Sequence, residues 1–446
     1  MNIVIAGAGA VGSHLAKMLS QERHDIILMD PDESRLRQVG GSLDVLTRTG
    51  SCISINDLIN ANIKKTDLFI CVTHSEEKNI TAAILGKRFG AKKTIARIDN
   101  QEYLYAKHRA HFIDLGIDYL INPDKIASKE IAGLLHQTGS SNLVDFSGGK
   151  LFLYAIKIEE GAPIVGKTLT HLSEISNKQE FRAVAITRNE STIIPNGDYI
   201  FTESDLVYVI GSEKALDSIM AHTGKERFDV RDIMILGGSR VGVLTARELG
   251  THHNIKLIER DREKSYRLSN MLNNTLVING DGRNYALLME EGLENMDAFI
   301  SVTGDSEVNI LSCMLAKKMG VRKTIAEVEN MEYIALAENM GIDVIINKKL
   351  ITASRIFRFT TSDAVSSVRC LTGTEAEVLE YMVKDGSKIT KASLYQLDFP
   401  NDAIIGGVIR DDASFIANGY TLIKPGDRVV VFALPSAIAK VSKFFS

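Results

Sequence analysis

Short apolar runs alternate with longer amphipathic stretches along the chain, and this alternation predicts the fold. The runs are rich in Ile and Val, which favour strands, and the stretches between them place apolar residues at helical spacing. The first runs are NIVIAG (2–7), DIILMD (25–30), LFICVT (68–73), KTIARI (93–98) and DYLIN (118–122), separated by stretches such as VGSHLAKMLSQ (11–21) and NITAAILGKRFG (79–90). Strands that alternate with helices form parallel sheets through right-handed crossovers. The pattern therefore predicts a doubly wound α/β domain.

The sequence also repeats itself, and the repeat determines the predicted organisation. The matched segments are 5–12 with 235–242, 66–80 with 296–310 (eight of fifteen positions identical), 92–103 with 322–333 (seven of twelve) and, more weakly, 193–211 with 415–433. The first three pairs share one offset of 230 residues. A fixed offset over such distances indicates a tandem duplication of a two-part unit.

Each unit is predicted to hold a larger α/β domain and a smaller, β-rich domain with turn signals such as PNGD and KPGD. A charged connector at 222–231 joins the two units. The expected fold class is α/β, with two Rossmann-like doubly wound parallel-sheet domains, each followed by a small α+β domain. The expected boundaries are 1–137 and 142–224 for the first unit, and 230–362 and 374–446 for the second.

Composition excludes several classes of protein. The 446-residue chain has 45% hydrophobic and 24% charged residues, a net charge of −4 and a pI of about 6.2, which argues against binding to nucleic acid. No apolar run is long enough to span a bilayer, and the first residues start a strand rather than a signal peptide, so we expect a cytoplasmic protein. The four cysteines show no CxxC spacing, so we expect reduced thiols and no metal site.

The first glycine-rich turn predicts a dinucleotide site. It follows an apolar strand and opens an amphipathic helix, and Asp30 closes the next strand. Gly7 allows the tight turn, Gly9 allows the backbone to approach a pyrophosphate, and Gly12 allows close packing of helix on strand. A carboxylate at position 30 accepts hydrogen bonds from ribose hydroxyls and repels a 2′-phosphate, which predicts NAD(H). The candidate contacts are Gly7, Gly9, Ala10, Val11, Gly12 and Asp30.

The second turn keeps the outer glycines, Gly237 and Gly242, and places Glu259 where the first unit has Asp30. It differs from the first because Ser239 replaces the middle glycine and Arg240 replaces Ala10. A guanidinium supplies charge-assisted donors that suit a phosphate with more free charge. The second site is therefore expected to take ADP or ATP, with a surface salt bridge as the alternative role of Arg240.

Further candidates follow other strands at the edge where doubly wound sheets bind ligands. Their expected roles are contacts to adenine, ribose or phosphate, and Asp281 is expected to accept from an adenine amino group. Within the repeat, Arg97 corresponds to Glu327, a reversal of charge. The candidates are Ser51, Cys52, Thr73, His74 and Arg97 in the first unit, and Asp281 and Thr303 in the second.

The two-part tandem order, the turn VIAGAGAVG with Asp30, and the segments DLFICVT, KKTIAR and PNGD together resemble the TrkA family over essentially the whole chain. TrkA proteins are cytosolic subunits of the bacterial Trk potassium uptake system, each built from two RCK modules. The resemblance implies no catalytic residue; it implies a nucleotide-sensing subunit that gates a membrane potassium channel subunit of the Trk type. It places the chain at the inner face of the plasma membrane through that partner, as a homotetramer that closes a ring of eight modules.

Two other functions stay open at this point. A nucleotide sensor that serves another cation transporter would carry the same motifs. An NAD-dependent dehydrogenase would need an acid or base near the nicotinamide, and the β-rich segment after the first α/β domain offers no obvious His–Asp or Lys pair.

Overall fold

The computed structural model places most of the chain. It describes residues 1–20, 24–41, 43–135, 142–146, 150–171, 181–188, 191–212, 215, 219, 223, 228–357, 359, 365–370, 374, 376–411 and 413–445. Much of the connector expected at 222–231 lies outside these residues. No helix among the described residues is both long enough and apolar enough to cross a bilayer.

The first α/β domain is a six-stranded sheet in the order β3-β2-β1-β4-β5-β6, with every strand pair parallel. The order reverses between β1 and β4, and ligands bind such sheets beyond the strand ends at this reversal. The strands are β1 Asn2–Ala6, β2 Asp25–Asp30, β3 Leu46–Thr49, β4 Leu68–Cys71, β5 Lys93–Arg97 and β6 Tyr119–Ile121. The helices are α1 Ala10–Ser20, α2 Glu33–Gly40, α3 Ile55–Asn60, α4 Glu76–Arg88, α5 Ala106–Asp114 and α6 Pro123–Leu135.

The second α/β domain repeats this design with the order β14-β13-β12-β15-β16-β17, again all parallel. Its strands are β12 Asp232–Leu236, β13 Asn254–Glu259, β14 Thr275–Asn279, β15 Ala298–Ser301, β16 Lys323–Glu327 and β17 Val344–Ile346. Its helices are α7 Arg240–Leu249, α8 Arg262–Met271, α9 Tyr285–Glu290, α10 Ser306–Lys318 and α11 Glu332–Asn339, and α12 Lys348–Phe357 follows β17. The predicted pair of Rossmann-like domains is therefore confirmed.

Each small domain is a five-stranded antiparallel sheet, and both have the same topology. The first has the order β10-β9-β11-β8-β7, with β7 Asn142–Phe146, β8 Leu151–Lys157, β9 Phe181–Arg188, β10 Ser191–Ile193 and β11 Leu206–Gly211. The second has the order β18-β19-β22-β20-β21, with β18 Val365–Cys370, β19 Glu377–Met382, β20 Ala403–Arg410, β21 Ala413–Ile416 and β22 Arg428–Ala433, and ends in α13 Pro435–Phe445.

An arginine–aspartate pair recurs in both small domains. The Arg188 guanidinium donates to both carboxylate oxygens of the fully buried Asp205 at 2.7 and 2.8 Å, and Arg410 donates to Asp427 at 2.8 Å twice. Burial alone would raise the pKa of Asp205, but the bonds from Arg188 and Thr202 outweigh it and hold that pKa below its usual value. Bidentate pairing of this kind stabilises the same turn in both copies.

The chain forms two compact units whose limits differ from the repeat. One unit comprises residues 1–128 and 347–361, and the other comprises 129–346 and 362–446. Helix α12 therefore packs with the first α/β domain, against α1, and its Lys348 ammonium lies 3.4 Å from the Asp124 carboxylate. The four expected domain boundaries stay predictions, since compactness divides the chain at other residues.

The two small sheets lie in one unit and share a hydrophobic core. Buried side chains of the first sheet pack in one cluster with those of the second. The cluster is Phe146, Leu151, Leu153, Ala155, Val184, Ala185, Tyr208 and Ile210 with Ala376, Val378, Ile409, Val430 and Phe432.

Candidate nucleotide-binding sites

The first turn has the backbone geometry that its glycines predict. Gly7 adopts a left-handed φ of +110°, and a β-carbon there would lie 3.0 Å from the Thr73 backbone nitrogen. A β-carbon at Gly12 would overlap the carbonyl oxygen of Gly7, whereas a β-carbon at Gly9 would have no neighbour within 4 Å. Gly7 and Gly12 are therefore required by the fold, and Gly9 leaves space in front of the N-terminus of α1.

Asp30 lies beside this turn, with its carboxylate buried. It is 6% exposed and accepts hydrogen bonds from the backbone N–H groups of Ala8 at 2.8 Å and Asp32 at 2.9 Å. No cationic side chain in the described part of the chain pairs with it. A buried carboxylate with unused acceptor capacity suits two ribose hydroxyls.

The second turn differs at the position of Gly9. The Ser239 hydroxyl accepts the Gly242 N–H at 3.2 Å and caps helix α7. The matched donor in the first turn is the Gly12 N–H, and Gly9, at the position of Ser239, has no side chain to cap it. Gly237 has a φ of +105°, and a β-carbon at Gly242 would overlap the Gly237 carbonyl oxygen, so the outer glycines have the same role in both turns.

The acid at the end of β13 is already paired. Glu259 accepts from the backbone N–H groups of Gly238 at 3.1 Å and Asp261 at 3.0 Å, and the Lys264 ammonium lies 2.8 Å from its carboxylate. Burial alone would raise the pKa of Glu259, but these donors, Lys264 foremost, outweigh it and lower that pKa. A ribose would therefore meet a carboxylate without a paired cation in the first module and a carboxylate paired with a lysine in the second, as far as the described residues show.

A cavity of about 440 Å³ opens beside the second turn. Three cations line it, and one of them, Arg283, is paired with Asp281 at 2.6 Å and holds the pKa of that carboxyl at about 2. The lining residues are Leu236, Gly237, Gly238, Ser239, Ile258, Glu259, Arg260, Lys264, Gly280, Asp281, Gly282, Arg283, Thr303, Gly304, Asp305 and Val308. Arg240, the first residue of α7, is exposed and is not among them.

An asparagine that the sequence analysis did not identify orders the loops of each site. The Asn79 amide oxygen accepts from the N–H and hydroxyl of Thr73 at 2.8 and 2.7 Å, and its NH2 group donates to the Arg97 carbonyl at 3.0 Å. Asn309 makes the same bonds to Thr303 and Glu327. These residues tie the carboxyl ends of two neighbouring strands together. Asn79 and Asn309 occupy the same position in the matched segments 66–80 and 296–310, and this repetition was the sequence signal that could have identified them.

The remaining candidates of the first site lie at the same edge of its sheet. The Ser51 N–H donates to the Asp57 carboxylate at 2.8 Å, and Arg97 lies 3.7 Å from the Asp99 carboxylate. Cys52 is buried, and burial raises the pKa of its thiol, whereas His74 is exposed. The structure places these residues at that edge of the sheet, and their contacts to a nucleotide stay predictions.

The comparisons with known proteins agree with this architecture. The TrkA-N domain model matches residues 3–123 and 233–348, and the TrkA-C domain model matches 153–224 and 378–446. The Trk system potassium uptake protein TrkA homolog 2 of Methanosarcina mazei is 33% identical over 100% of both chains. The Trk system potassium uptake protein TrkA of Vibrio alginolyticus is 32% identical, over 97% of this chain and 95% of that protein.

Two solved structures share the fold at low identity. The GsuK channel bound to NAD has a TM-score of 0.60 at 16% identity, over 100% of this chain and 78% of that chain. GsuK bound to ADP has a TM-score of 0.50 at 12% identity, over 80% and 68%. With both domain models found twice and the relatives matched along their full length, the chain belongs to the TrkA family.

Proposed function

We propose that this chain is a nucleotide-sensing regulatory subunit of potassium uptake, acting on a membrane channel subunit of the Trk type. The TrkA family is a family of regulatory subunits rather than enzymes, so the dehydrogenase alternative is set aside. The observation that carries the proposal is the buried Asp30 beside an open, glycine-lined helix N-terminus. Such a site recognises a dinucleotide without offering a group for chemistry.

The first module is proposed to bind NAD(H). The backbone N–H groups at the start of α1 would hold the pyrophosphate, and Asp30 would accept from the ribose hydroxyls. A 2′-phosphate would face this buried carboxylate, with which no cationic side chain of the described residues pairs, and this disfavours NADP(H).

The second module is proposed to bind ADP or ATP. Arg260, Lys264 and Arg283 line its cavity and can donate to phosphate groups, with Lys264 held by Glu259 and Arg283 held by Asp281. The role expected for Arg240 stays a prediction, and the three lining cations support the proposal independently of it. The NAD-bound and ADP-bound states of GsuK, which shares the fold, are consistent with two kinds of nucleotide in this architecture.

Four copies of the chain are proposed to form a ring of eight modules docked at the cytoplasmic face of the membrane partner. Moving a two-state gate from 1:99 to 99:1 needs about 5.5 kcal/mol of differential binding. Spread over four equivalent first-module sites, this is about 1.4 kcal/mol each, a tenfold preference between the two ring states. A weakly discriminating nucleotide site therefore suffices when four are coupled.

The test has two arms, both on the full-length chain. Calorimetric titration with NAD⁺, NADH, ADP and ATP should show NAD(H) binding that is weakened in Asp30→Ala, and ADP or ATP binding that is unchanged by it. Light scattering and co-purification with a potassium-channel membrane subunit from the same genome should show a tetramer that binds the partner. A monomer that ignores the subunit in every nucleotide state would refute the assembly; absence of nucleotide binding would refute the sensor.

A further inference from the structure

The two small domains meet around a cavity of about 290 Å³ that the nucleotide sites do not use. Buried aliphatic and aromatic side chains of the first small domain form most of its wall, and they are Ile156, Ile158, Ile164, Ala183, Phe201, Val207, Val209 and Ile219. Two equivalent turns, 195–197 and 417–419, complete the lining, and each contains an Asn–Gly pair of the repeated small-domain motif. Exposed Gly197 and Gly419 place the rim of the cavity at the surface.

One wall of this cavity carries a cation. Arg182 lies on β9 and donates from Nη1 to the Ala417 carbonyl oxygen at 2.6 Å, across the contact between the two small domains. Burial lowers the pKa of its guanidinium. No carboxylate of a described residue pairs with it, whereas Arg188, six residues along the same strand, is paired bidentately with Asp205. A half-buried guanidinium that has no carboxylate partner among the described residues favours an anionic partner.

The fold itself does not require this charge. In the second small domain β20 takes the place of β9, and Arg410 takes the place of Arg188. Counting back from that matched pair, Ile404 occupies the position of Arg182. The matched strand therefore forms with an apolar residue at this position, so strand formation does not require an arginine. What Arg182 has in addition is its position in the wall of the cavity.

We propose that the cavity binds a small organic anion, whose acidic group pairs with Arg182 and whose apolar body packs against the aliphatic wall. The volume of about 290 Å³ lies just below the range for small-molecule pockets, about 300–1,000 Å³, and so suits a small ligand. Most of such a ligand would be enclosed by apolar side chains, and Arg182 would orient its head group through charge-assisted hydrogen bonds. Because both small domains line the cavity, the ligand would also bridge them.

The proposal is tested with three probes that share one apolar body and differ in head group: octanoate, octanol and octylammonium. Each is titrated calorimetrically into the full-length chain. Octanoate should bind at least tenfold more tightly than octanol, and octylammonium should bind more weakly than either. Equal affinity for octanoate and octanol, or no binding of octanoate up to millimolar concentration, would overturn the proposal.

Variants assign the head group to Arg182. Arg182→Met should reduce octanoate affinity to that of octanol and leave octanol unchanged, and Arg182→Lys should retain most of the preference. Lys150→Met is the matched control, because Lys150 also donates across the contact between the small domains, to the Asp411 carbonyl at 3.2 Å, but does not line the cavity. Unchanged octanoate affinity in a folded Arg182→Met protein would refute the assignment. Asp30→Ala should leave octanoate binding intact, which separates this site from the nucleotide sites.

Discussion

Replacing Gly9 by Ser gives the first turn the residue that the second turn already has. Gly9 does not adopt a left-handed backbone conformation, and a β-carbon there meets no atom within 4 Å, so a serine fits without strain. By analogy with Ser239, its hydroxyl would accept the Gly12 N–H and cap α1. The donor captured in this way is one that a bound pyrophosphate would otherwise use.

The size of the effect follows from the bond that is lost. A hydrogen bond to a charged group contributes about 1.5–3 kcal/mol, which corresponds to about 10- to 100-fold weaker NADH binding. Stability should change by only a few tenths of a kcal/mol, because Ser and Gly are both accepted at a helix N-cap. Gly12→Ala should behave differently: its methyl group overlaps the Gly7 carbonyl oxygen, and overpacking of this kind costs about 1–3 kcal/mol of folding free energy.

Calorimetry with NADH and urea unfolding separate these two effects. We expect Gly9→Ser to lose affinity at unchanged stability, and Gly12→Ala to lose both. Gly9→Ala is the matched control, since its methyl group obstructs the phosphate without capturing the N–H; an intermediate loss of affinity is expected. NADH affinity within twofold of the original in Gly9→Ser would refute the assignment of this turn to the pyrophosphate.

Three further predictions concern the acids and their partners. The unaltered chain should bind NADH at least tenfold more tightly than NADPH, and Asp30→Ala should narrow that gap in fluorescence titrations; equal affinities before mutation would contradict the ribose role. Lys264→Met should weaken ATP binding about tenfold by removing a cavity cation and leaving Glu259 unneutralised, with NADH binding unchanged as the internal control. Asp205→Asn should cost about 3 kcal/mol of unfolding free energy at pH 7, since it leaves the Arg188 guanidinium unpaired. Pairing depresses the folded-state pKa of Asp205. The difference in unfolding free energy between the unaltered chain and Asp205→Asn should therefore be complete above the unfolded-state pKa of about 3.9 and should shrink as the pH falls through the folded-state pKa. A free-energy difference that does not change between pH 7 and pH 3 would contradict the pairing.

The repeats predicted the sheet architecture well because apolar runs and their spacing depend on local burial. The turns at Gly7 and Gly237 followed from backbone sterics, which a glycine reveals directly. Asn79 was missed because it lies within the amphipathic pattern of α4, where a polar residue is ordinarily a solvated one. Lys264 was missed because its partner lies across a turn, at a distance that periodicity does not encode. The sequence also placed a cation at Arg240, whereas the cations that line the second cavity are Arg260, Lys264 and Arg283.

The cavity around Arg182 and the placement of α12 depend on tertiary packing. An apolar stripe along a helix indicates that this face is buried against another element. The sequence of the helix does not indicate which domain supplies that element. Strand β9 offers buried residues at four successive positions after Arg182, so no alternation marked the arginine as facing a cavity.

Helix α12 belongs to the compact unit of the first α/β domain, although it lies in the second repeat of the sequence. Its buried Thr352, Ala353, Ile356 and Phe357 belong to the compact unit that contains α1, although the chain reaches them only after completing the second sheet. A fragment that ends at the repeat boundary near residue 229 would lack one of its helices, and the complementary fragment would carry that helix with its apolar stripe uncovered. Synthesis of the compact unit that contains the first α/β domain finishes only when the ribosome has passed residue 361.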